Sequence, residues 1–587
     1  MKMDRLHDCF PKNKDYCRHM KIIFHLSAFM LICMTSLPLK SIAQSLPVGT
    51  PIIEDALRRA QLLGEIDSSI SFTSRPLFPT ASMKMTNIFD PYSNLKNERR
   101  TKSDGTVRFA NNKGIVQILP FTWQQQFNTH HPYSLNDGAM IPAKGYQTLI
   151  SGGVYAKYGP LSIQLRPEYV YAENQNFQGF YKEQPDNIWS KYYEFLNNID
   201  LPERFGESAY QRLFWGQSSI CLTHGPISLG ISNENLWWGP GVRNSLMMSN
   251  TAPGFIHITL NTVKPIRTPI GSFEGQIICG RLEDSGFTPP DTSRTYNGGK
   301  LYASKRTDWR YINGGVISYQ PKWVPGLFFG LTRTFIAYYK DMGRTFKDYL
   351  PIITPISKQA NYGEKESPYP NDQRASFFIR WLWLKTHAEI YVEYFREDHA
   401  YNLRDMIVDA EHSHAYLFGI RKLIPLKAYT NQFIQFNLEI TQLEQTTTNP
   451  ERASHYIYCH FAGIPQGYTN RGQLLGAGIG PGSNMQSISV SWVKKLKTIG
   501  LEFERIVQNN DFHNYAIRDP RAIWVDLGTS LLGDWDYKNF LFSAKLECIK
   551  SLNYEHYYVP ISDDISQLWK PRNIINVQAQ LGVSYRF

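Results

Sequence analysis

Beyond its first 43 residues the sequence has no apolar run approaching the ~20 residues that a membrane-crossing helix needs. That absence excludes a helical membrane protein. Charge is scarce, with Asp, Glu, Lys and Arg making up 19% of 587 residues. Cysteine is scarcer still, seven in all, of which Cys9, Cys17 and Cys33 fall in the leader. Cys221, Cys279, Cys459 and Cys548 lie far apart, without the close spacing of a zinc site. An oxidising compartment allows a disulfide among them, but nothing in their spacing indicates one. A Ser/His/Asp constellation, a phosphate-cradling glycine loop and a zinc signature are missing too. No catalytic residue, metal or cofactor is therefore expected.

Residues 22–39 are apolar with few interruptions, Lys21 precedes them, and Ser41-Ile42-Ala43 offers small residues for cleavage. We read residues 1–43 as a signal peptide cut after Ala43, with Met20 as an alternative start. Cys33 lacks the small residue before it that a lipoprotein signal needs. The leader takes seven Lys/Arg and three Asp/Glu with it, leaving +7 of the formal +11. So mild a charge suits a surface of acidic glycans or lipopolysaccharide phosphates and gives no case for nucleic acid.

What the chain has in abundance is alternation. Ile575, Val577, Ala579, Leu581, Val583, Tyr585 and Phe587 alternate with Asn576, Gln578, Gln580, Gly582, Ser584 and Arg586 to the last residue. Period two of this kind is a strand with one apolar and one polar face. A strand ending the chain on an aromatic residue fits an outer-membrane barrel, whose last strand pairs with the first so that no edge is left unsatisfied in lipid. A C-terminal Phe587 resembles the signal read by the bacterial outer-membrane assembly machinery. The same pattern recurs at Leu161/Ile163/Leu165, Ile227/Leu229/Ile231, Phe436/Leu438/Ile440 and Ile488/Val490/Trp492. With 14% aromatic residues the chain also has material for interfacial belts.

Short turns are expected at Gly159-Pro160, Gly225-Pro226, Pro265–Pro269, Val324–Gly326, Lys385-Thr386, Pro425–Lys427, Lys495–Lys497 and Gly533–Trp535. Longer polar stretches near 124–146, 173–208, 236–255, 284–308, 340–373, 398–411, 445–485, 509–521 and 551–572 alternate with them. Short periplasmic turns alternating with long external loops make an antiparallel transmembrane β-barrel of about eighteen strands. It is an all-β fold spanning 111–587, in the outer membrane of a Gram-negative bacterium. Residues 44–110 are assigned to a small periplasmic helical segment that plugs the barrel from below. Within it Thr50 caps a helix, Pro51 opens it, Ala56, Leu57, Ala60 and Leu63 form its apolar face, and Gly64 ends it.

The polar strand faces are expected to line the lumen: Glu389, Tyr391 and Glu393 on one strand, Gln435, Asn437 and Glu439 on another. Such a face calls for water or glycan. Glu389, Glu393 and Glu397 raise the alternative of a lumenal glycan hydrolase. Residues i and i+4 of a strand lie ~13 Å apart, beyond the ~5–9.5 Å of glycosidase carboxylate pairs. His412 and His414, with Glu411 and Asp409 nearby, allow a metal site but read more simply as a solvated strand start. Arg294, Lys300, Lys305 and Arg306 fall in a stretch without acids, open to an acidic polysaccharide, to lipopolysaccharide phosphates or to solvent.

One connection differs from the rest. In Asn233-Glu234-Asn235-Leu236-Trp237-Trp238-Gly239-Pro240-Gly241 two indoles stand beside a sharply turned backbone, and Arg243, Asn244 and Asn250 follow. Indole faces with amides, carboxylates and a guanidinium suit sugar binding, so Glu234, Asn235, Trp237, Trp238, Arg243, Asn244 and Asn250 are candidate glycan contacts. The alternative is that the Trp pair anchors an aromatic belt. This run, through Asn244-Ser245-Leu246 and Ser249-Asn250, resembles the Wzi family of capsule-assembly proteins. Leu201–Gly206, Thr268–Glu274, Gly280–Glu283 and the helix at Leu57–Gly64 match that family too. The resemblance implies an outer-membrane barrel with a periplasmic helical part and a lectin-like role in holding capsular polysaccharide. A porin or polysaccharide-export channel is the competing class, and would need an open lumen.

Overall fold

The computed structural model describes residues 44–85, 87–92, 105–111, 113–354, 372–397, 403–408, 413–429, 431–446, 458–460, 463–560 and 569–587. The signal peptide, the basic cluster Lys96, Arg99, Arg100 and Lys102, and the group Asp409, Glu411 and His412 lie outside the described residues. Among the described residues no helix is long and apolar enough to cross a membrane.

Eighteen antiparallel strands close into one barrel. In chain order they begin with β1 (Gly114–Asn128), β2 (Gly145–Tyr158), β3 (161–172), β4 (210–224), β5 (Ile227–Ser232) and β6 (257–268). There follow β7 (Gly271–Leu282), β8 (Arg310–Pro321), β9 (Leu327–Tyr338), β10 (Asp372–Trp383), β11 (Ala388–Glu397) and β12 (His414–Pro425). The last six are β13 (Phe433–Gln442), β14 (Asn484–Lys494), β15 (Lys497–Val507), β16 (Val525–Tyr537), β17 (Phe540–Leu552) and β18 (Ile574–Tyr585). Each even strand joins the next odd one by a short turn, and each odd strand joins the next even one by a long loop. Both ends of the barrel sequence therefore fall at the turn end.

Two expected turns are corrected. Gly533–Trp535 lies inside β16, which stays paired with β17 up to Tyr537↔Phe540. The reversal comes at Lys538-Asn539, where Lys538 takes the left-handed φ of 54°. The Pro265–Pro269 turn narrows to the two residues between Thr268 and Gly271. Pro265 cannot donate to a ladder, so β6 is interrupted after Thr262 and resumes at Ile266.

Alternation sorts side chains between lipid and lumen. On β18, Ile575 and Leu581 are 61% and 56% exposed while Asn576 and Gln578 are 0% and 2%. Cys548 is exposed on the same outer surface, and all four cysteines of the described chain are free. The seam closes where Phe121–Asn128 pairs with 578–585, and β18 pairs along its whole length with β17. Deleting 574–587 strips both β1 and β17 of a neighbour, which lipid cannot replace. The deletion, like Phe587→Asp, is expected to abolish heat-modifiable barrel in the membrane fraction; normal barrel at wild-type levels would refute the closure argument.

Inside the wall, α1 (Pro51–Leu62) lies among strand residues of the turn end. Pro51 opens it, but Thr50 spends its hydroxyl on Pro47 O at 2.7 Å instead of capping the helix. At the other end Gly64 turns left-handed at φ 74°, and Glu65 N–H reaches Ala60 O at 2.9 Å, as expected of a glycine terminator. Arg58, Arg59 and Gln61 are as buried as Ile53 and Leu57 because the helix is surrounded by protein. Arg59 donates to Lys495 O in the β14–β15 turn at 2.8 Å, and His387 Nδ1 meets Leu62 O at 3.0 Å.

Candidate functional site

The β5–β6 loop, residues 233–256, leaves the wall early because β5 is only six residues long, and folds into the lumen. Its Gly-Pro-Gly turn is dictated by space. Gly239 has φ 116°, and a Cβ there would sit 2.7 Å from Glu393 Oε2; one on Gly241 would sit 2.0 Å from Asn244 O. Trp237 and Trp238 form a two-residue ladder with Arg75 and Ser74, joining this loop to the segment that carries α1.

The seven candidate glycan contacts are all in this loop, and each is engaged within the protein. Trp238 is 0% and Trp237 4% exposed. The Trp238 indole N–H donates to Gln276 Oε1 at 2.9 Å, and the Arg75 guanidinium lies 5.1 Å from the centroid of the Trp237 ring. Glu234 accepts from Ser45 Oγ at 2.5 Å and from Gln164 Nε2 at 3.1 Å. Asn235 Nδ2 donates to Asn250 Oδ1 at 2.7 Å, and Asn250 Nδ2 to Asn136 O at 2.8 Å. Arg243 is paired with Glu504 and, at 3.4 Å, with Glu502. The backbone N–H groups of Val242, Arg243 and Asn244 converge on the Glu439 carboxylate at 2.8, 3.1 and 2.7 Å, and Tyr391 OH completes that shell at 2.9 Å. The expectation of an exposed indole platform is corrected: both faces are covered, and the polar groups around them satisfy the loop itself.

The structure turns Glu389, Tyr391, Glu393, Gln435, Asn437 and Glu439 to the lumen, but protein occupies the place expected of water or glycan. Glu389 is shared by Arg58 at 2.7 Å, Arg380 at 2.6 Å and Arg421 at 3.6 Å. Glu393 accepts from Ser376 Oγ at 2.7 Å, Glu397 pairs with Arg374, and Asn437 Nδ2 donates to Ser489 Oγ at 3.0 Å. Gln435 lies 3.5 Å from both Arg59 and Asp55. Glu389, Glu393, Glu397 and Glu439 thus each have a partner of opposite sign or a hydroxyl, which is what makes their burial tolerable.

In the basic stretch before Thr307 three of the four cations have partners. Arg294 pairs with Asp186 at 2.8 Å, Arg306 with Asp308 and Asp341 at 2.5 Å, and Lys305 donates to Leu196 O at 2.7 Å; Lys300 is exposed. His414 starts β12 with its ring stacked on Tyr416.

At the loop end, above the inward loop, five long loops enclose a cavity of about 320 Å³, within the ~300–1,000 Å³ of ligand pockets. Six of its lining residues are aromatic: Tyr133, Phe180, Tyr192, Phe195, Phe512 and Trp524. Phe180 stacks on Tyr192 at 4.0 Å, Phe512 closes edge-on at 5.7 Å from Tyr192, and Trp524 stands 5.1 Å from Tyr554. Tyr133, Tyr192 and Trp524 line it and are half-buried. The polar groups are set among them. The Tyr192 hydroxyl donates to Glu203; the Trp524 indole and Gln508 Nε2 donate to Asp526 at 2.8 and 2.9 Å. Asn553, Glu555 and His556 all adopt left-handed φ, at 50°, 56° and 55°, a strain of ~1–3 kcal/mol each that surrounding structure must impose. It directs Glu555 and His556 to the cavity. The inward loop reaches it through Thr251, part of its lining.

Sequence reasoning missed this cavity. Glu203 stood in a quoted stretch without a role; Tyr192, Trp524 and Glu555 are single residues of separate loops and make no local pattern.

The family model described as Capsule assembly protein Wzi matches residues 134–556. No curated protein matches the chain. Among solved structures, Wzi of Escherichia coli, described as an outer membrane protein involved in group 1 capsule assembly and a carbohydrate-binding β-barrel, is similar at 13% identity and a TM-score of 0.56. That likeness covers 93% of this chain and 100% of the other. OccAB2 of Acinetobacter baumannii follows at 12% identity and a TM-score of 0.37, over 80% of this chain and 97% of that one. A BenF-like porin from Pseudomonas fluorescens stands at 8% and 0.34, over 80% and 98%. At such identities these likenesses concern the fold alone. Matched by the family model over most of its length, the chain belongs to the Wzi family of capsule assembly proteins.

Proposed function

We propose that this protein is an outer-membrane barrel that binds capsular polysaccharide and helps to assemble or hold the capsule at the cell surface, gripping the glycan in the loop-end cavity. One observation carries the reading: half-buried Tyr133, Tyr192 and Trp524 line one cavity together with carboxylates and amides, the mixture that sugars require. Family membership supplies the capsule, and the carbohydrate binding named for the Escherichia coli protein agrees with it. In this reading the short turns face the periplasm and the long loops the exterior. The described residues up to Tyr92 form the segment that closes the lumen from the periplasmic side, and Phe587 serves the outer-membrane assembly machinery. Lipopolysaccharide surrounds the loops. Glu234, Asn235, Trp237, Trp238, Arg243, Asn244 and Asn250 contribute indirectly, as the frame under the cavity floor.

Trp524→Ala and Tyr192→Ala test it. Each loses an aromatic contact worth on the order of 1 kcal/mol and frees the carboxylate that its N–H or O–H held in place, so each should weaken glycan binding several-fold, and the double variant more. Capsule should then be shed into the medium while surface protein stays at normal levels. Full capsule retention by the double variant at normal surface levels would overturn the assignment.

A further inference from the structure

The proposed glycan cavity has a second property, its charge. Among the described residues that line it there is neither lysine nor arginine, while Glu203, Asp526 and Glu555 all contribute carboxyl groups. Guanidinium groups in the neighbourhood are committed elsewhere. Arg243 is held by Glu502 and Glu504, Arg521 by Asp519 at 2.9 Å, and Arg572 stacks over Tyr181 and Tyr557 at 5.1 and 5.2 Å. Two further groups point to a missing ligand. His131 and His556 line the cavity at 2% and 3% exposure, and the Nε2 atom of each is buried without a hydrogen-bond partner. Unpaired buried nitrogens carry a desolvation cost that a ligand hydroxyl or amide in the cavity would remove.

Resting on the glycan reading above, we infer that the cavity takes uncharged sugar residues, hexoses or N-acetylhexosamines, and rejects uronates and other anionic sugars. A carboxylate brought into the cavity gives up hydration with no lysine or arginine among the described lining residues to replace it, and Glu203 and Asp526 repel it wherever they are ionised. The imidazoles do not offset it. Burial holds His131 and His556 down to about 3, so both rings are neutral and can exchange hydrogen bonds with hydroxyls without supplying a cation. Burial, reinforced by Glu203 and Asp526, pushes the Glu555 carboxyl well above its ordinary range. A protonated Glu555 donates a hydrogen bond to a sugar oxygen and, being neutral, supplies no positive charge to hold an anion. The aromatic walls suit the C–H faces and acetamido methyl groups of neutral sugars. This reverses the expectation, from the chain's mild positive charge, of an acidic partner. The net charge belongs to the whole surface, whereas the cavity is built from its acidic minority.

Titration of the full-length protein in detergent with chitotetraose and with tetragalacturonate, at one pH and ionic strength, tests the inference. Chitotetraose should bind at least tenfold more tightly. Glu203→Gln and Asp526→Asn should shrink that ratio several-fold by admitting the uronate. Binding of tetragalacturonate as tight as that of chitotetraose, and lost in Trp524→Ala, would overturn the charge inference while keeping the cavity as the glycan site. Binding of neither sugar, or binding indifferent to Trp524→Ala, would overturn the cavity assignment and the inference with it.

Discussion

Trp238→Ala should cost the protein about 3–5 kcal/mol, the range for truncating a large buried aromatic. Trp238 is fully buried, its indole N–H is bonded to Gln276, and it packs in the main core with Leu246, Met248, Ile278 and Ile312. Removing it opens a void where the inward loop meets β7 and β8 and leaves Gln276 without that donor. A lower temperature for loss of heat-modifiable barrel, and protease sensitivity within 233–256, are the expected signatures. Trp237→Ala should cost less, since the Trp237 indole N–H has no partner to lose and its contact is the Arg75 guanidinium. Per folded molecule, glycan affinity should fall only as far as the cavity floor is disturbed. Equal, purely affinity-lowering effects of both substitutions at unchanged stability would instead restore the indoles as the binding platform.

Glu389→Ala should open the lumen. One carboxylate, 0% exposed, neutralises Arg58 of α1 and Arg380 and Arg421 of the wall, and Asp55, 2.8 Å from Arg421, is the next acid in reach. Removing one partner from a buried pair costs ~3–5 kcal/mol because an uncompensated charge stays behind. Here mutual repulsion among the guanidinium groups adds to it, and the interaction lost is one that fixes α1 to β11. In planar bilayers the intact protein, its lumen filled by residues 44–92 and 233–256, should conduct little. Glu389→Ala should give larger, flickering currents, with Glu389→Gln intermediate. Large stable currents from the unaltered protein would favour the channel reading, and a silent, fully stable Glu389→Ala would show that the network does not hold the plug.

The wall was legible because each strand repeats one rule. Lipid on one side makes the outward residues apolar, and every second residue of β18, β13 and β14 declares it. Turn chemistry located most reversals, failing where Gly533 was read as a break although it stays in the β16 ladder. The interior was not legible for a physical reason. A polar strand face has the same composition whether it meets water, sugar or another part of the chain. Glu389 looks like any lumenal carboxylate until Arg58, Arg380 and Arg421 arrive from distant positions. The Trp237-Trp238 loop misled for the same cause: amides and carboxylates beside indoles suit a sugar, and equally a loop satisfying its own backbone. Only the tertiary fold, which brings Glu439 to three consecutive N–H groups, tells the two apart.

That carboxylate also defines a path for mechanical load. Under the proposed function, a capsule strand held at the loop end would pull outward on the cell whenever the polymer is sheared. Thr251 of the cavity floor belongs to the loop whose backbone is clasped by Glu439 of β13, beside Tyr391 of β11, and whose Trp237 and Trp238 are laddered to the segment carrying α1. Tension entering at the floor therefore passes to the middle of the wall and to the plug, and many strand hydrogen bonds share it. A grip built on the external loops alone would transmit the same pull to loop ends one after another and peel them. With the glycan held as proposed, the polar loop driven into the lumen would make the barrel an anchor post as well as a membrane span.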